Sequence, residues 1–513
     1  MASSPTQPEL TRRLRLAELM AALSLATDLG MGQPLEQALR TCLIAIELSG
    51  RLGLSNEQTS EVFYVALLRF LGCTADAHEF AAFVGGDDIG VRKAIAPVLG
   101  GSSQEFARQV MPQIGAGRNP LKRAQLIAGM MAGGRKQGSD GVRAHCEMGE
   151  RLAARLGLPS GVRKGLDDAF EHWNGAGFPK GSSRDGIHIA ARIVFVARDA
   201  EVLHRQGGLD AVRAAAKGRS GAAYDPSIAH ALLDGADQVI GAAEVTSPWE
   251  EVLQREPQPY PWIPESRLDS VLETFADFVD LKSPWVAGHS RGVAELVAHA
   301  GVVVRRSALV HDLGRLSVPN SIWDKSSRLT DGEWERVRLH PYYSERILFR
   351  SPALNALAGF AGMHHERLDG SGYHRGSKRA EIPREARFLA AADAFQAMTQ
   401  PRAFRAALSP ASAAAQLEAG AREGKLDAEA VQSVLDTAGH KARRSAYWPA
   451  GLSEREVEVL RLLCRGGAKK EVAALMTISP STVDHHVRHI YEKVGVSTRA
   501  GATLFAVEND LLR

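Results

Sequence analysis

The sequence predicts an all-α protein: two tandem helical bundles followed by a small four-helix domain. Three observations predict it. Ala-, Leu- and Arg-rich segments with helical periodicity run almost throughout, for example 14–29 and 62–71, while strand patterns are few. An internal repeat pairs the first bundle with the second, and the C-terminal stretch reads as closely spaced short helices. Composition sets the outer limits. A chain of 513 residues can bury several sizeable cores, and 45% apolar with 24% charged residues is ordinary globular composition. A net charge of +3 gives no global attraction to nucleic acid, so any such binding needs a local surface. Cys42, Cys73, Cys146 and Cys464 show no CxxC spacing, which argues against a disulfide framework or structural zinc and for a reducing compartment. Neither a membrane-length apolar run nor a secretory leader is found, so a cytoplasmic protein without a membrane partner is expected.

In chain order, 1–10 is polar and is expected to be a disordered tail, and 11–242 forms the first bundle. The stretch 243–266 holds Pro248, Pro257, Pro259, Pro261 and Pro264 and reads as an extended linker. The second bundle spans 267–439, a basic break at 440–450 reads as another linker, and 451–513 is the last domain. Shifting the numbering by 195 lays His340 on His145, 366–373 (ERLDGSGY) on 171–178 (EHWNGAGF), and 386–389 on 191–194, without a gap. Upstream, 308–314 resembles 66–72 at a larger offset, which implies an insertion in the first copy.

Chemistry concentrates in the second bundle. His289, the pair His311-Asp312, His340, the pair His364-His365, and Asp393 are metal-ligand types. Seven donors exceed one ion's needs and suit two, the usual device for holding a phosphate and activating water against it. His311-Asp312 ends an apolar helix over 302–310, with Gly314 as its stop. Adjacent helical side chains point about 100° apart, so this pair shares a site only if it lies between them, as when an aspartate bridges two ions. Pro341 is placed to open a helix at His340, and Asp393 follows a tightly packed LAAA run where an unpartnered charge would be costly. In the first copy these positions become Arg69, Phe70, Ala169, Phe170 and Arg198, and only His145 remains. That copy is expected to be metal-free and to serve sensing, pairing or structure.

Together GHSRGVAEL (288–296), HDLGR (311–315), His340, HHERLDGSGY (364–373) and ADAFQAMTQPRAFR (392–405) resemble the HD-GYP branch of the HD metal-dependent phosphohydrolases. The resemblance implies a helical bundle and two-metal hydrolysis of a phosphodiester, with cyclic di-GMP as the usual substrate. It implies His289, His311, Asp312, His340, His364, His365 and Asp393 as ligands of two divalent transition metals (Fe, Mn, Ni or Zn), with Asp312 bridging. It also implies catalytic roles for Asp312 and Arg315, and substrate contacts from Arg315, Arg402, Arg405, Gly372 and Tyr373. Three positions depart from the family pattern: Arg315 replaces lysine, His374 replaces the proline of GYP, and Trp285 stands where three-metal members carry glutamate. The last departure is why two ions are expected.

At the C-terminus, Ser453 and Glu456 form a capping box opening a helix to about residue 465. A short helix over 469–476, a turn at 477–480 and a helix over 481–494 then fit helix-turn-helix geometry. The string from 452 to 502 resembles the LuxR-type DNA-binding domain, which implies that the helix beginning near Thr482 enters the major groove. Ser481, Thr482, Asp484, His485, Arg488 and His489 are the candidate groove contacts, with Lys469, Lys470, Arg488, Lys493 and Arg499 for phosphates. Nine Lys/Arg against eight Asp/Glu over 451–513 make this a weakly basic reader of double-stranded DNA, expected to act as a homodimer. The whole chain is expected to be a transcription regulator that hydrolyses cyclic di-GMP or a related nucleotide. The alternatives are a regulator that senses nucleotide without turnover, or a phosphohydrolase for another nucleotide.

Overall fold

The computed structural model describes residues 13–439 and 448–512; the predicted tail at 1–10 and residues 440–447 of the second break lie outside them. The centre of the fold is α1 (Leu16–Gly30), whose Leu19, Met20, Ala22 and Leu23 are wholly buried. A helix apolar on every side has to be covered on every side. α2 (Gln37–Arg51) and α3 (Asn56–Leu68) of the first bundle cover it from one direction. The turn Leu313–Ser317 and the helix His340–Phe349 of the second cover it from the other. The two bundles therefore share one continuous core running from Leu14 to Val434.

The first bundle continues with α4 (Pro120–Arg155) and α5 (Ile189–Arg219), the latter broken at Gly207 and Gly208. The second consists of α6 (Leu268–Asp280), α7 (His289–Leu296), α8 (Val302–Val310), α9 (His340–Phe349), α10 (Asn355–Ala361) and α11 (Arg384–Thr399). α12 (Pro410–Arg422) and α13 (Ala428–Gly439) pack on α11. The repeat read from the sequence is present in the backbone. α5 and α11 begin at the same 195-residue offset, and so do the helix Ser160–Asp167 and α10. Even the strained positions recur: Arg184 and Arg379 both have positive φ, at 50° and 39°. Left-handed backbone is uncommon outside glycine, so its recurrence at one repeat position marks a shared loop conformation. The implied insertion lies between Gly72 and His145, where Ala77–Val84, Asp88–Ile95, Ser103–Val110 and the front of α4 enclose a small core of Val84, Val91, Val110 and Ile114.

The stretch 243–266 is not an extended linker. Pro248 sits at the first helical position of Pro248–Gln254, where its missing N–H costs nothing. Trp249, Val252 and Leu253 of that helix are buried in the common core. Beyond it, β2 (Trp262–Pro264) pairs antiparallel with β1 (Arg13–Arg15), and buried Glu256 accepts from Arg15 Nε (2.5 Å) and Tyr64 OH (2.6 Å). These are the two named strands among the described residues. Composition alone misread the prolines: they shape turns around a helix that is part of the core. Trp249→Ala is expected to lower the free energy of unfolding by roughly 3–5 kcal/mol. A urea titration checks this, since a residue in a loose linker would leave the midpoint unchanged.

The C-terminal domain has α14 (Glu454–Cys464), α15 (Lys469–Met476), α16 (Pro480–Val494) and α17 (Arg499–Glu508) around its own core of Val457, Leu460, Val483, Ile490 and Ala506. The Ser453/Glu456 capping box forms as the sequence predicts. α17 is buried on two faces: Ala502 and Ala506 point into this domain, while Ala500 and Leu504 join the core of the body. Among the described residues, no helix is long and apolar enough to cross a membrane.

Candidate metal centre

Each donor reaches the centre from a helix end or a turn, except Asp393, which sits within α11. Gly288, with φ at 71°, turns the chain into α7 so that His289 becomes its first residue. α8 ends at Val310, and Asp312 has already left helical geometry (φ −98°, ψ 7°). His340 opens α9 with Pro341 behind it, and His364-His365 follows α10. Gly314 is not the helix stop predicted from sequence. It is a point of contact, where a Cβ would lie 2.0 Å from the His340 carbonyl oxygen and 2.7 Å from the Ser344 nitrogen. Gly72 occupies the same place in the first copy, 1.9 Å from the His145 carbonyl by the same measure.

All seven donors come together. Asp312 Oδ1 lies 3.3 Å from His340 Nε2 and 3.6 Å from His364 Nε2. Its Oδ2 lies 3.5 Å from His311 Nε2 and 3.9 Å from His289 Nε2. Asp393 Oδ1 is 3.1 Å from His289 Nε2, and its Oδ2 is 3.4 Å from His365 Nδ1. One aspartate thus faces two donor clusters, one with each oxygen. His340, His364 and His365 form one tight group, and His289, His311 and Asp393 another, each with donor atoms within 4.8 Å of one another.

The surroundings prepare these imidazoles to donate inward. Nδ1 of His311, His340 and His364 faces the carbonyl three residues earlier, that of Ala308 (2.7 Å), Val337 (2.6 Å) and Ala361 (2.6 Å). A carbonyl only accepts, so Nδ1 carries the proton and the Nε2 lone pair points into the site. His289 Nδ1 is oriented by Gln400 Oε1 at 2.9 Å. Burial pushes His364 down to about 3, aided by His311 and His340, and it also lowers His289 and His365. Burial alone would raise both carboxyls. Instead His311, Arg315 and His340 hold Asp312 well below the usual range, and His365 and His289 do the same for Asp393. The lowered imidazoles of His289, His364 and His365 beside two lowered carboxyls favour the deprotonated ligands that a divalent cation requires. Buried His311 Nε2 has no hydrogen-bond partner in the protein, as suits an atom aimed at an ion.

The first copy carries a plug in the same place. Arg69 is buried over the rings of Phe70, Phe170 and Phe195 at 5.7, 5.0 and 5.0 Å. His145 Nε2 is turned to the Arg69 carbonyl (3.0 Å), and Arg198 is tied to Asp199 (2.6 Å). Among the described residues, every cluster able to hold a metal lies in the second bundle.

A cleft of about 810 Å³ opens onto the donors and is bordered by Trp285, Trp323, Trp334, Phe404, Arg315 and Arg402. Tyr373 lies over His365 with ring centroids 4.2 Å apart, and Gly372 brings the backbone so near that a Cβ would lie 2.6 Å from Glu366 Cα. Arg402 is half-buried, donates to the Trp285 carbonyl, and is pushed down to about 10 by desolvation and by Arg315. Arg405 also lines the cleft and is tied to the backbone. Its guanidinium donates to the carbonyls of Ala397 (2.5 Å), Met398 (3.1 Å), Gln400 (3.3 Å) and Ala406 (3.1 Å), closing the end of α11 and the turn that carries Arg402. Sequence reasoning missed Gln400 and Trp323, which become neighbours of the ligands only through tertiary folding.

In the C-terminal domain Lys470, Ser481, Thr482, Asp484, His485 and Arg488 are exposed, while His489 is half-buried. Three predicted phosphate contacts are engaged within the chain. Lys493 bonds Glu456 (2.7 Å) and the Gly451 carbonyl (3.1 Å), Lys469 pairs with Asp484, and Arg499 reaches Glu79 of the first bundle (3.1 Å). The domain is seated on the body by Glu147 with Ser497, by Arg155 with Glu508 (3.1 Å), and by Gly466 against Pro284. Val507 lies beside Gly288, directly before His289, where an added Cβ would come 3.7 Å from its Cγ2.

Comparisons agree with this layout. Residues 273–430 match the HD domain family, and 450–506 match the luxR family of bacterial regulatory proteins. The 3′3′-cGAMP-specific phosphodiesterase 3 of Vibrio cholerae is 30% identical over 400 residues, covering 75% of this chain and 87% of that protein. A cyclic di-GMP phosphodiesterase of Thermotoga maritima is 40% identical over 123 residues, a third of its own length (33%). A crystal structure of a cyclic GMP-AMP-specific phosphodiesterase from V. cholerae superposes with a TM-score of 0.59 at 26% identity, over 84% of this chain and 99% of that one. The chain belongs to the HD-GYP-type HD phosphohydrolases, metal-dependent phosphodiesterases, and carries a LuxR-type DNA-binding domain at its C-terminal end.

Proposed function

We propose that this protein hydrolyses a cyclic dinucleotide at a two-metal centre and reads DNA with α16. The observation that carries the proposal is Asp312, whose two oxygens face separate histidine clusters. His289, His311 and Asp393 would hold one divalent ion, His340, His364 and His365 the other, and Asp312 would join them. Iron, manganese, nickel and zinc all suit such donors. When bound, the pair supplies Lewis-acid stabilisation of phosphoryl charge and lowers the pKa of a water. The protein supplies the rest. The backbone carbonyls fix the imidazoles, and Arg315 and Arg402 offer N–H groups to the non-bridging phosphate oxygens. Trp285, Trp334 and Phe404 border a cleft of about 810 Å³ and give flat apolar surfaces for two bases. The relative that spans most of this chain is specific for 3′3′-cGAMP, which makes that nucleotide the first to test, before cyclic di-GMP.

On the operator side, Ser481, Thr482, His485 and Arg488 lie on the open face of α16, beside exposed Lys470. So few cations favour binding as a homodimer on paired half-sites. Purified full-length protein should contain about two transition-metal ions per chain. It should also linearise 3′3′-cGAMP or cyclic di-GMP in a panel of cyclic and linear nucleotides. Metal-replete protein that leaves every cyclic dinucleotide intact would refute the substrate assignment.

A further inference from the structure

We infer that Trp323 is a positioning residue for hydrolysis, and that it lets an arginine serve at position 315. The inference rests on the proposed phosphodiester reaction. Arg315 sits in the turn Leu313–Ser317, directly after the bridging aspartate, and its Nη1 donates to Asp312 Oδ2 at 3.1 Å. Arg402 lies close enough for the two cations to repel, and Arg315 borders an open cleft. A long side chain there has many rotamers and a like charge pushing it away. Trp323 removes that freedom in two ways. Its ring lies flat against the guanidinium, with Arg315 Cζ 3.9 Å from the ring centroid. Its Nε1 donates to the Arg315 carbonyl at 3.1 Å, so the same residue holds backbone and side chain.

The indole is itself fixed. It ends the short helix Asn320–Trp323 and packs on the small core of Val318, Ile322 and Val337. Buried Asn320 anchors that helix by donating through its side chain to the Lys282 carbonyl (2.6 Å) and through its backbone N–H to Asp88 (2.8 Å) of the first bundle. The edge of the Trp323 ring meets His340, with centroids 5.5 Å apart, so the support for Arg315 is continuous with that of a metal ligand. Only a planar guanidinium can use the ring face in this way while still pointing N–H groups at an oxygen; an ammonium cannot stack. Arginine at 315 and tryptophan at 323 therefore form one unit.

A double-mutant cycle on the full-length, metal-loaded protein tests the inference, with cyclic dinucleotide hydrolysis and metal content measured in parallel. Trp323→Leu and Arg315→Ala are each expected to lower kcat/KM by about tenfold or more, while the double variant falls little below the worse single one. Arg315→Lys should resemble Arg315→Ala. Trp323→Phe keeps a ring face without the indole N–H and should retain activity within about threefold of the parent. Multiplicative losses in the double variant, or a Trp323→Phe variant as impaired as Trp323→Leu, would overturn the inference. Should Trp323→Leu fail to fold, Trp323→Phe combined with Arg315→Lys tests the same coupling by the same rule. Failure of the parent protein to hydrolyse any cyclic dinucleotide would instead count against the substrate reading, so the two failures are distinguishable.

Discussion

Asp312→Ala is expected to leave a folded protein that binds almost no metal and has lost hydrolysis. The side chain faces both histidine clusters at once, with one oxygen 3.3 Å from His340 and the other 3.5 Å from His311. Removing it leaves Asp393 as the one carboxylate among six donors, too little charge to hold two cations close together. Metals contribute several kcal/mol of charge stabilisation in such reactions. Each 1.4 kcal/mol is about tenfold in rate, so a loss on the order of 10³ follows. Asp312→Asn should behave similarly, because the amide preserves the shape and lacks the charge. Metal analysis and single-turnover hydrolysis check both variants. Two ions per chain in Asp312→Ala, or activity within about tenfold of the parent, would remove the basis of the assignment. In the first bundle Arg69 and its rings fill the corresponding space.

The second large effect concerns a residue with no side chain. At Gly314 the intruding methyl of alanine would lie 2.0 Å from the His340 carbonyl, and backbone cannot swing aside as a side chain can. The start of α9 must move, and His340 moves with it. Overpacking of this kind costs roughly 1–3 kcal/mol, and displacing a ligand should weaken metal binding by roughly 10–100-fold, as loss of an outer-shell partner does. Gly72→Ala makes the same collision with the His145 carbonyl, at 1.9 Å, in the copy without ligands. The pair forms a controlled comparison. Both variants should lose similar thermal stability, and only Gly314→Ala should lose metal affinity and turnover. Equal effects of the two on metal affinity would mean that the glycine serves the shared core rather than the site.

Much of this was legible in the sequence because it is periodic or ordered along the chain. The 195-residue offset survives as matching helix starts at Ile189 and Arg384, since the two copies follow one backbone. The seven donors could be identified because their order is fixed and the sister copy lacks most of them. What escaped depends on tertiary contact. Gln400 is one polar residue among many until folding sets it 2.9 Å from His289. Gly314 looked like a helix stop, because a glycine after an apolar run has that meaning locally, whereas the real constraint comes from His340. Arg405, Lys493 and Arg499 read as free cations, since a one-dimensional string hides the carbonyls and carboxylates that occupy them. The proline-rich stretch misled for the opposite reason: its composition is that of a spacer, yet Trp249 needs burial.

The seat of α17 has a thermodynamic consequence. Val507 lies beside Gly288, whose neighbour His289 is a candidate ligand, and Gly466 packs on Pro284, whose neighbour Trp285 borders the cleft beside the donors. The C-terminal domain and the cleft beside the donors thus adjoin one short peptide, 284–288. If nucleotide occupancy changes operator affinity by some factor, operator occupancy must change nucleotide affinity by that same factor. A promoter bound by this protein would then act as an effector of the enzyme seated on it.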